Sequence, residues 1–242
     1  MTEASALVYA RARDSAAGWV HRYLVRSIVP RPWLGLEKIG TTYGGWIVPT
    51  AMVQPRWICY CAGVGEDASF DLGLIERFGC RVFAFDPTPR AIAFAAPIQE
   101  AEPRFKLVPV GVWTEDVTLR FYAPRDPAHV SHSVLNLQGT DRFFAAPCRS
   151  LESLMTELGH DHVDLLKLDI EGAEHAVLRG LLVTGPRPTV VCTEIDRPVG
   201  PGRVWRTVRG LRRGGYGPVA ADAWNLTFIR SDRVPDRGAI SG

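Results

Sequence analysis

Lysine is almost missing from this chain: Lys38, Lys106 and Lys167 stand against twenty-five arginines in 242 residues. With plentiful Ala, Gly and Pro, that bias reads as GC-rich coding rather than as chemistry. It still excludes two reaction types by inspection. The residues four before each lysine are Leu34, Glu102 and Val163, so the Tyr-x-x-x-Lys pair of short-chain dehydrogenases is absent. No G-x-x-x-x-G-K-[S/T] occurs, which removes the P-loop nucleotidases.

Long apolar runs are lacking too. None reaches the ~18 residues of a membrane span, and Met1 to Ala10 carries Glu3 with no apolar core, unlike a secretory signal. Cysteine is sparse and unpaired in pattern: Cys59, Cys61, Cys80, Cys148 and Cys192 make an odd count with no C-x-x-C. Buried free thiols in a reducing compartment account for that better than disulfides, so the expected location is cytoplasmic. A large charge excess is also wanting. At +2 the chain is not the strongly basic type that binds nucleic acid, and the partner expected is a small molecule. An apolar fraction of 46% excludes disorder, and the length suits one domain with or without an appendage. The oligomeric state is not legible.

What is present is an alternation. Strand-like runs at Arg56–Cys61, Arg81–Asp86, Phe105–Val110, Val163–Asp169 and Thr189–Ile195 are separated by helix-length segments at 66–79, 88–100 and 173–182. A further helical segment, 202–213, precedes a closing pair, Tyr216–Ala220 and Asn225–Arg230. Apolar strands alternating with helices imply a mostly parallel α/β sheet covered on both faces. The last two strands are too close for a crossover helix and should form an antiparallel hairpin. Residues 1–55 read as a helical lead-in packed on the core, ahead of a domain over 56–242. Leu7 to Val29 holds a basic amphipathic pattern, better explained by packing with a solvated arginine face than by membrane binding. Val117–Tyr122 reads as a short strand. Residues 123–146 are polar and irregular, as in an acceptor loop or lid.

The first strand runs into Gly63-Val64-Gly65-Glu66-Asp67-Ala68, and Asp86 ends the second. Together they fit the G-x-G-x-x-G/A fingerprint with its acid, in which backbone approaches the ligand and the carboxylate holds ribose hydroxyls. Glu66 and Asp67 would repel a diphosphate at close range but welcome an ammonium or a sulfonium. S-adenosylmethionine therefore fits better than a nicotinamide dinucleotide.

The segments Gly63-Val64-Gly65-Glu66-Asp67 with Ser69-Phe70-Asp71, Phe85-Asp86-Pro87-Thr88-Pro89-Arg90, and Leu166-Lys167-Leu168-Asp169-Ile170-Glu171-Gly172-Ala173-Glu174 followed by Val177-Leu178-Arg179-Gly180 resemble the FkbM family of S-adenosylmethionine-dependent methyltransferases. Lys38-Ile39-Gly40, Tyr43-Gly44-Gly45-Trp46 and Asn225-Leu226-Thr227-Phe228 are similar to it as well, so the resemblance covers roughly 37–230. It implies the class I methyltransferase fold, a Rossmann-like seven-stranded sheet in the order 3-2-1-4-5-7-6 with the seventh strand antiparallel. It also implies a cofactor site made by Gly63, Gly65, Glu66, Asp67, Asp86, Pro87, Thr88, Gly111, Val112 and Asp169, with Trp113 as cofactor wall or core aromatic.

Asp169 and Glu171 are candidates to hold the cofactor's ammonium, to position an acceptor hydroxyl, or to ligate a divalent cation, which is left open. His132 is the preferred histidine base, ahead of His129, because its loop belongs over the strand edge. Glu174 can equally cap a helix. Lys167, buried in a strand, needs a carboxylate, with Glu194 as the candidate. His160-Asp161-His162-Val163-Asp164 approaches a hydrolase metal motif but lacks its final histidine and falls at a strand's amino end. The expected activity is O-methylation of a hydroxyl on a sugar or polyketide-type natural product. The alternatives are N-methylation, a nicotinamide-dependent oxidoreductase, and a non-catalytic binding module.

Overall fold

A computed structural model describes residues 23, 27–29, 33, 35–126, 132–195 and 201–233. His129 and most of the lead-in lie outside those residues. The central sheet has seven strands: β3 (Ile58–Ala62), β4 (Arg81–Phe85), β5 (Phe105–Val108), β9 (Leu165–Leu168), β10 (Val190–Glu194), β11 (Tyr216–Asp222) and β12 (Asn225–Arg230). Their order across the sheet is β11-β12-β10-β9-β3-β4-β5. Read from the β5 edge, that is the 3-2-1-4-5-7-6 arrangement. β3, β4, β5, β9 and β10 run parallel, while β12 is antiparallel to both β10 and β11.

Burial explains the composition of these strands. β3, β9 and all but the last residue of β10 are buried, so both faces must be apolar, and Lys167 is the one charged exception in β9. On one face Tyr60, Phe85, Leu166 and Phe228 pack against the helices α3 (Leu151–Leu158), α4 (Glu174–Leu181) and α5 (Pro201–Arg213). The opposite face buries Cys59, Cys61, Leu165 and Cys192 under α1 (Ser69–Phe78) and α2 (Pro89–Ala101). Local signals set several ends. Thr88 caps α2 by accepting from the Ala91 N–H, with Pro89 at the first turn; Gly79 and Gly159 end α1 and α3 in the left-handed region. All five cysteines are free and buried.

Two expectations are corrected. Residues 36–49 are not helical: β1 (Leu36–Ile39) and β2 (Trp46–Pro49) pair as an antiparallel hairpin. Ile39, Trp46 and Val48 turn inward beside α1, and Gly40, at φ +92°, lets the chain turn where a side chain would strike Phe70 and Ser69. The packing around the central sheet therefore includes residues before 56. The irregular segment is also shorter than 123–146, because β8 (Phe143–Arg149) claims its end. With β6 (Gly111–Val112) and β7 (Val117–Tyr122) it forms a separate sheet in the order β6-β8-β7.

Candidate functional site

Three loops meet at the carboxyl edge of the central sheet, following β3, β4 and β9. In the first, Gly63 and Gly65 have φ of +82° and +55°. A Cβ on Gly63 would overlap the carbonyl oxygen of Asp169, so only glycine permits this approach of β3 to the end of β9.

Asp86 staples this loop. Its Oδ2 accepts from the Val64 and Gly65 N–H groups at 3.1 and 3.0 Å, and its Oδ1 from Thr88 N and Oγ1 at 2.9 and 2.7 Å. A carboxylate offers about four acceptor positions, so all are occupied within the protein. Glu66 forms a two-pronged ion pair with Arg90, 2.7 and 3.1 Å, and Asp67 accepts from Thr41 Oγ1 at 2.6 Å and Ser69 N at 2.8 Å. The β1–β2 turn is thereby tied to the glycine loop. Pro87 lies beside Asp86 on the loop after β4.

Gly111 and Val112 occupy a different environment. Both pair with β8, and a Cβ on Gly111 would stand 2.7 Å from Cys148 Sγ and from Phe121 Cζ. Val112 lies in the core with Leu151 and Leu154, and Trp113 packs on the Phe121 cluster. Trp113 also lines a cavity of about 320 Å³ with residues of α3 and α4, which includes no residue of the glycine loop or of 169–174.

At the end of β9, Lys167 pairs with Asp169, Nζ to Oδ2 3.3 Å, and donates to the Gly63 carbonyl. The expected partner Glu194 is thus replaced by Asp169, because residues two apart in a strand share a face. Trp46 covers the ammonium, its ring centroid 5.8 Å from Nζ. Burial pulls the Lys167 pKa down, but Asp169 and Asp71 outweigh it and raise it. Burial likewise pushes Asp169 up, while Lys167 and a hydrogen bond with Glu194 hold it below the usual carboxylate range. Asp169 is therefore an anion over the physiological range. Asp71, buried beneath Lys167, is pushed up to about 6 by desolvation.

Glu171 adopts φ +55°, rare for a side-chain-bearing residue, and its carbonyl accepts from Ser133 Oγ at 2.7 Å. That bond carries the segment after residue 132 to the signature turn, where Leu135 and Leu137 pack over Gly172. His132 precedes Ser133, its ring against Phe144 at 5.3 Å. Glu174 is a loop support, not a rim group: it is 1% exposed, Oε1 accepts from Ile170 N at 2.7 Å, and desolvation raises its pKa to about 8. Tyr43, on the β1–β2 turn, is the residue that sequence reading left out. Burial and the carboxylates Asp169, Glu171, Glu194 and Asp67 all raise its pKa, which puts its hydroxyl in their common field. Only its place in a motif, Tyr43-Gly44-Gly45-Trp46, signalled it.

The histidine–aspartate run lies elsewhere. His160 Nδ1 bonds Tyr60 Oη at 2.8 Å, and His162 contacts Asp161 and Asp164 at 2.6 and 3.3 Å, at the amino end of β9. Among the described residues, no three His, Cys, Asp or Glu converge to hold a metal ion. The glycine approach at Gly63 and the ionised Asp169 fit an adenosyl cofactor with a cationic end.

The profile of the family described as Methyltransferase FkbM domain matches residues 63–216. The human (Homo sapiens) probable methyltransferase-like protein 24 is 29% identical over 125 residues, 51% of this chain and 28% of that protein. The match thus spans little more than a quarter of that relative. Among solved structures, Aeropyrum pernix fibrillarin with natively bound S-adenosyl-L-methionine matches with a TM-score of 0.44 and 9% identity, over 83% of this chain and 84% of that one. Precorrin-6y C5,15-methyltransferase from Geobacter metallireducens matches with a TM-score of 0.43 and 12% identity, over 74% and 85%.

Proposed function

The chain belongs to the FkbM methyltransferase family, whose members transfer a methyl group from S-adenosylmethionine, and from that premise we propose that it methylates a hydroxyl group of a small molecule such as a sugar or polyketide-type product. The observation that carries this reading is the acidic rim at the end of β9. Asp169, Glu171 and Glu194 gather negative charge there, enough to raise the Tyr43 pKa together with burial, beside the loop that Ser133 ties down. Such a rim can accept the proton that a hydroxyl must lose.

When bound, S-adenosylmethionine supplies a methyl group activated on a sulfonium, so the protein's part is mainly to align the acceptor and manage one proton. Gly63 and Gly65 allow backbone approach. Asp86 holds that loop in shape and, when the Thr88 hydroxyl swings away, accepts from a ribose hydroxyl. Pro87 and Thr88 border the ribose; Glu66 and Asp67 anchor the loop from outside. Asp169, fixed by Lys167, is suited to hold an ammonium rather than to take a proton. Glu171 is the proposed general base, and His132 stands second. Gly111 and Val112 contribute by shaping β6 against β8. Five buried thiols support a cytoplasmic setting.

The test is calorimetric titration with S-adenosylhomocysteine and NAD, followed by turnover on a panel of sugars, polyketide alcohols and amines, each with magnesium or EDTA. Micromolar S-adenosylhomocysteine binding with turnover on alcohols supports the reading. Binding of NAD alone points to an oxidoreductase, and turnover confined to amines to N-methylation. Cofactor binding with no turnover on any acceptor leaves the binding module.

A further inference from the structure

The near-zero net charge hides a segregation. α5 (Pro201–Arg213) carries Arg203, Arg206, Arg209, Arg212 and Arg213 and no acid, a charge of +5 in a chain whose total is +2. The remaining residues therefore sum to a net negative charge. At about 100° per residue, Arg206, Arg209 and Arg213 fall within an arc of roughly 60°, opposite Val204, Val208 and Leu211. Those three aliphatics are buried in the core, and the arginines are exposed.

Helix stability does not explain this pattern. Arg203 sits in the first turn, where the helix dipole disfavours a cation and no acid compensates. Arginines three and four apart repel one another. Among the described residues no carboxylate forms an ion pair with any of the five. Burial holds the His175 pKa down at about 4, with smaller contributions from Arg203 and from Arg179 of α4. Trp205 stands on the flank of the arginine strip, 45% exposed. On the same side of the sheet, Arg212 donates to the Ile28 carbonyl at 2.9 Å, and Ile28 is buried in the core it shares with α5.

We infer that the outer face of α5 docks on an anionic lipid bilayer, its guanidinium groups on lipid phosphates and Trp205 in the headgroup layer. Guanidinium groups with an indole and no other polar side chain suit a surface that offers phosphates in one plane above an apolar layer. The outward arc offers arginine and indole alone, with no Asn or Gln for adenine and no acid for cytosine, so at most guanine edges could be read from it. Half the girth of the helix is packed on the sheet, so the contact is peripheral.

Co-sedimentation with phosphatidylglycerol-containing vesicles, with phosphatidylcholine vesicles as the control, tests this. The wild-type chain pellets with the anionic vesicles only, and less at high salt. The triple variant Arg206→Gln, Arg209→Gln, Arg213→Gln loses roughly fivefold in partitioning per guanidinium, about a hundredfold together, with unchanged melting temperature and unchanged S-adenosylhomocysteine binding. Trp205→Ala weakens partitioning without altering its salt dependence. Three results overturn the proposal: wild-type chain left in the supernatant, a triple variant that pellets like wild type, or tighter binding to a nucleic-acid duplex than to anionic vesicles at equal salt.

Discussion

Lys167 Nζ stands 3.3 Å from Asp169 Oδ2 and at the same time donates to the Gly63 carbonyl, so one buried cation joins the acid of the signature strand to the glycine loop. Burying a lone ammonium would be costly; here Asp169, Asp71, the Gly63 carbonyl and the Trp46 ring offset it. The pair is thus a positioning device, and it leaves Asp169 ionised and fixed.

Lys167→Met should therefore weaken S-adenosylhomocysteine binding by about tenfold or more, on the scale of a lost charge-assisted hydrogen bond. In an Asp169→Asn background the same change should cost clearly less, since the two act together. Calorimetric titration of the four proteins provides the cycle. Full additivity would show that Lys167 does not act through Asp169.

Asp86→Ala removes the acceptor for three backbone N–H groups and the Thr88 hydroxyl. The expected loss of cofactor affinity is at least the ~1–3 kcal/mol of one charged hydrogen bond, whereas Thr88→Val, which spares the backbone bonds, should cost less. Wild-type affinity in Asp86→Ala would remove Asp86 from the site.

Gly63→Ala forces a Cβ into the Asp169 carbonyl and a side chain into φ +82°. Loss of S-adenosylhomocysteine binding is expected, with a melting temperature lowered by several degrees, as for a clash worth ~2 kcal/mol or more.

Glu174 carries a folded-state pKa raised by burial to about 8 from an ordinary 4.5. The folded protein then holds a proton that the unfolded chain releases, so this stability is fully present below pH 4.5 and is lost as pH rises to about 8. Asp71, raised to about 6, adds a loss of the same sign from 3.8 upward. Glu174→Gln keeps an acceptor for Ile170 N and should flatten the fall in melting temperature between pH 5 and 8, an interval set by those values. An unchanged pH slope in the variant would contradict the buried neutral acid.

Glu171→Gln should lower kcat by ~100-fold, the usual contribution of a general base, with cofactor affinity unchanged. Tyr43→Phe should raise KM for the acceptor more than it lowers kcat. Steady-state kinetics on the first alcohol found to turn over distinguishes the two. Equal turnover in Glu171→Gln would pass the role to His132.

The alternation of apolar strands and helices, the hairpin at 216–230, the glycine turn and the acids at strand ends could all be read from the chain, because each depends on near neighbours and on a period of two or 3.6 residues. Fold class and cofactor type were therefore legible in outline from amino-acid order alone. The sequence-based expectation for Lys167 was Glu194; Asp169, two residues on and so on the same face, is the partner it has. Tertiary structure decided the rest. It bent residues 36–49 into a hairpin whose Tyr43 reaches acids more than a hundred positions away, and it brought Ser133 to the carbonyl of Glu171. It filled every acceptor position of Asp86 from within the protein, and by packing Val204, Val208 and Leu211 on the sheet it turned the arginines of α5 outward. Sequence patterns report which side of an element is apolar; which elements then meet is fixed by packing, and packing brings distant residues within bonding reach.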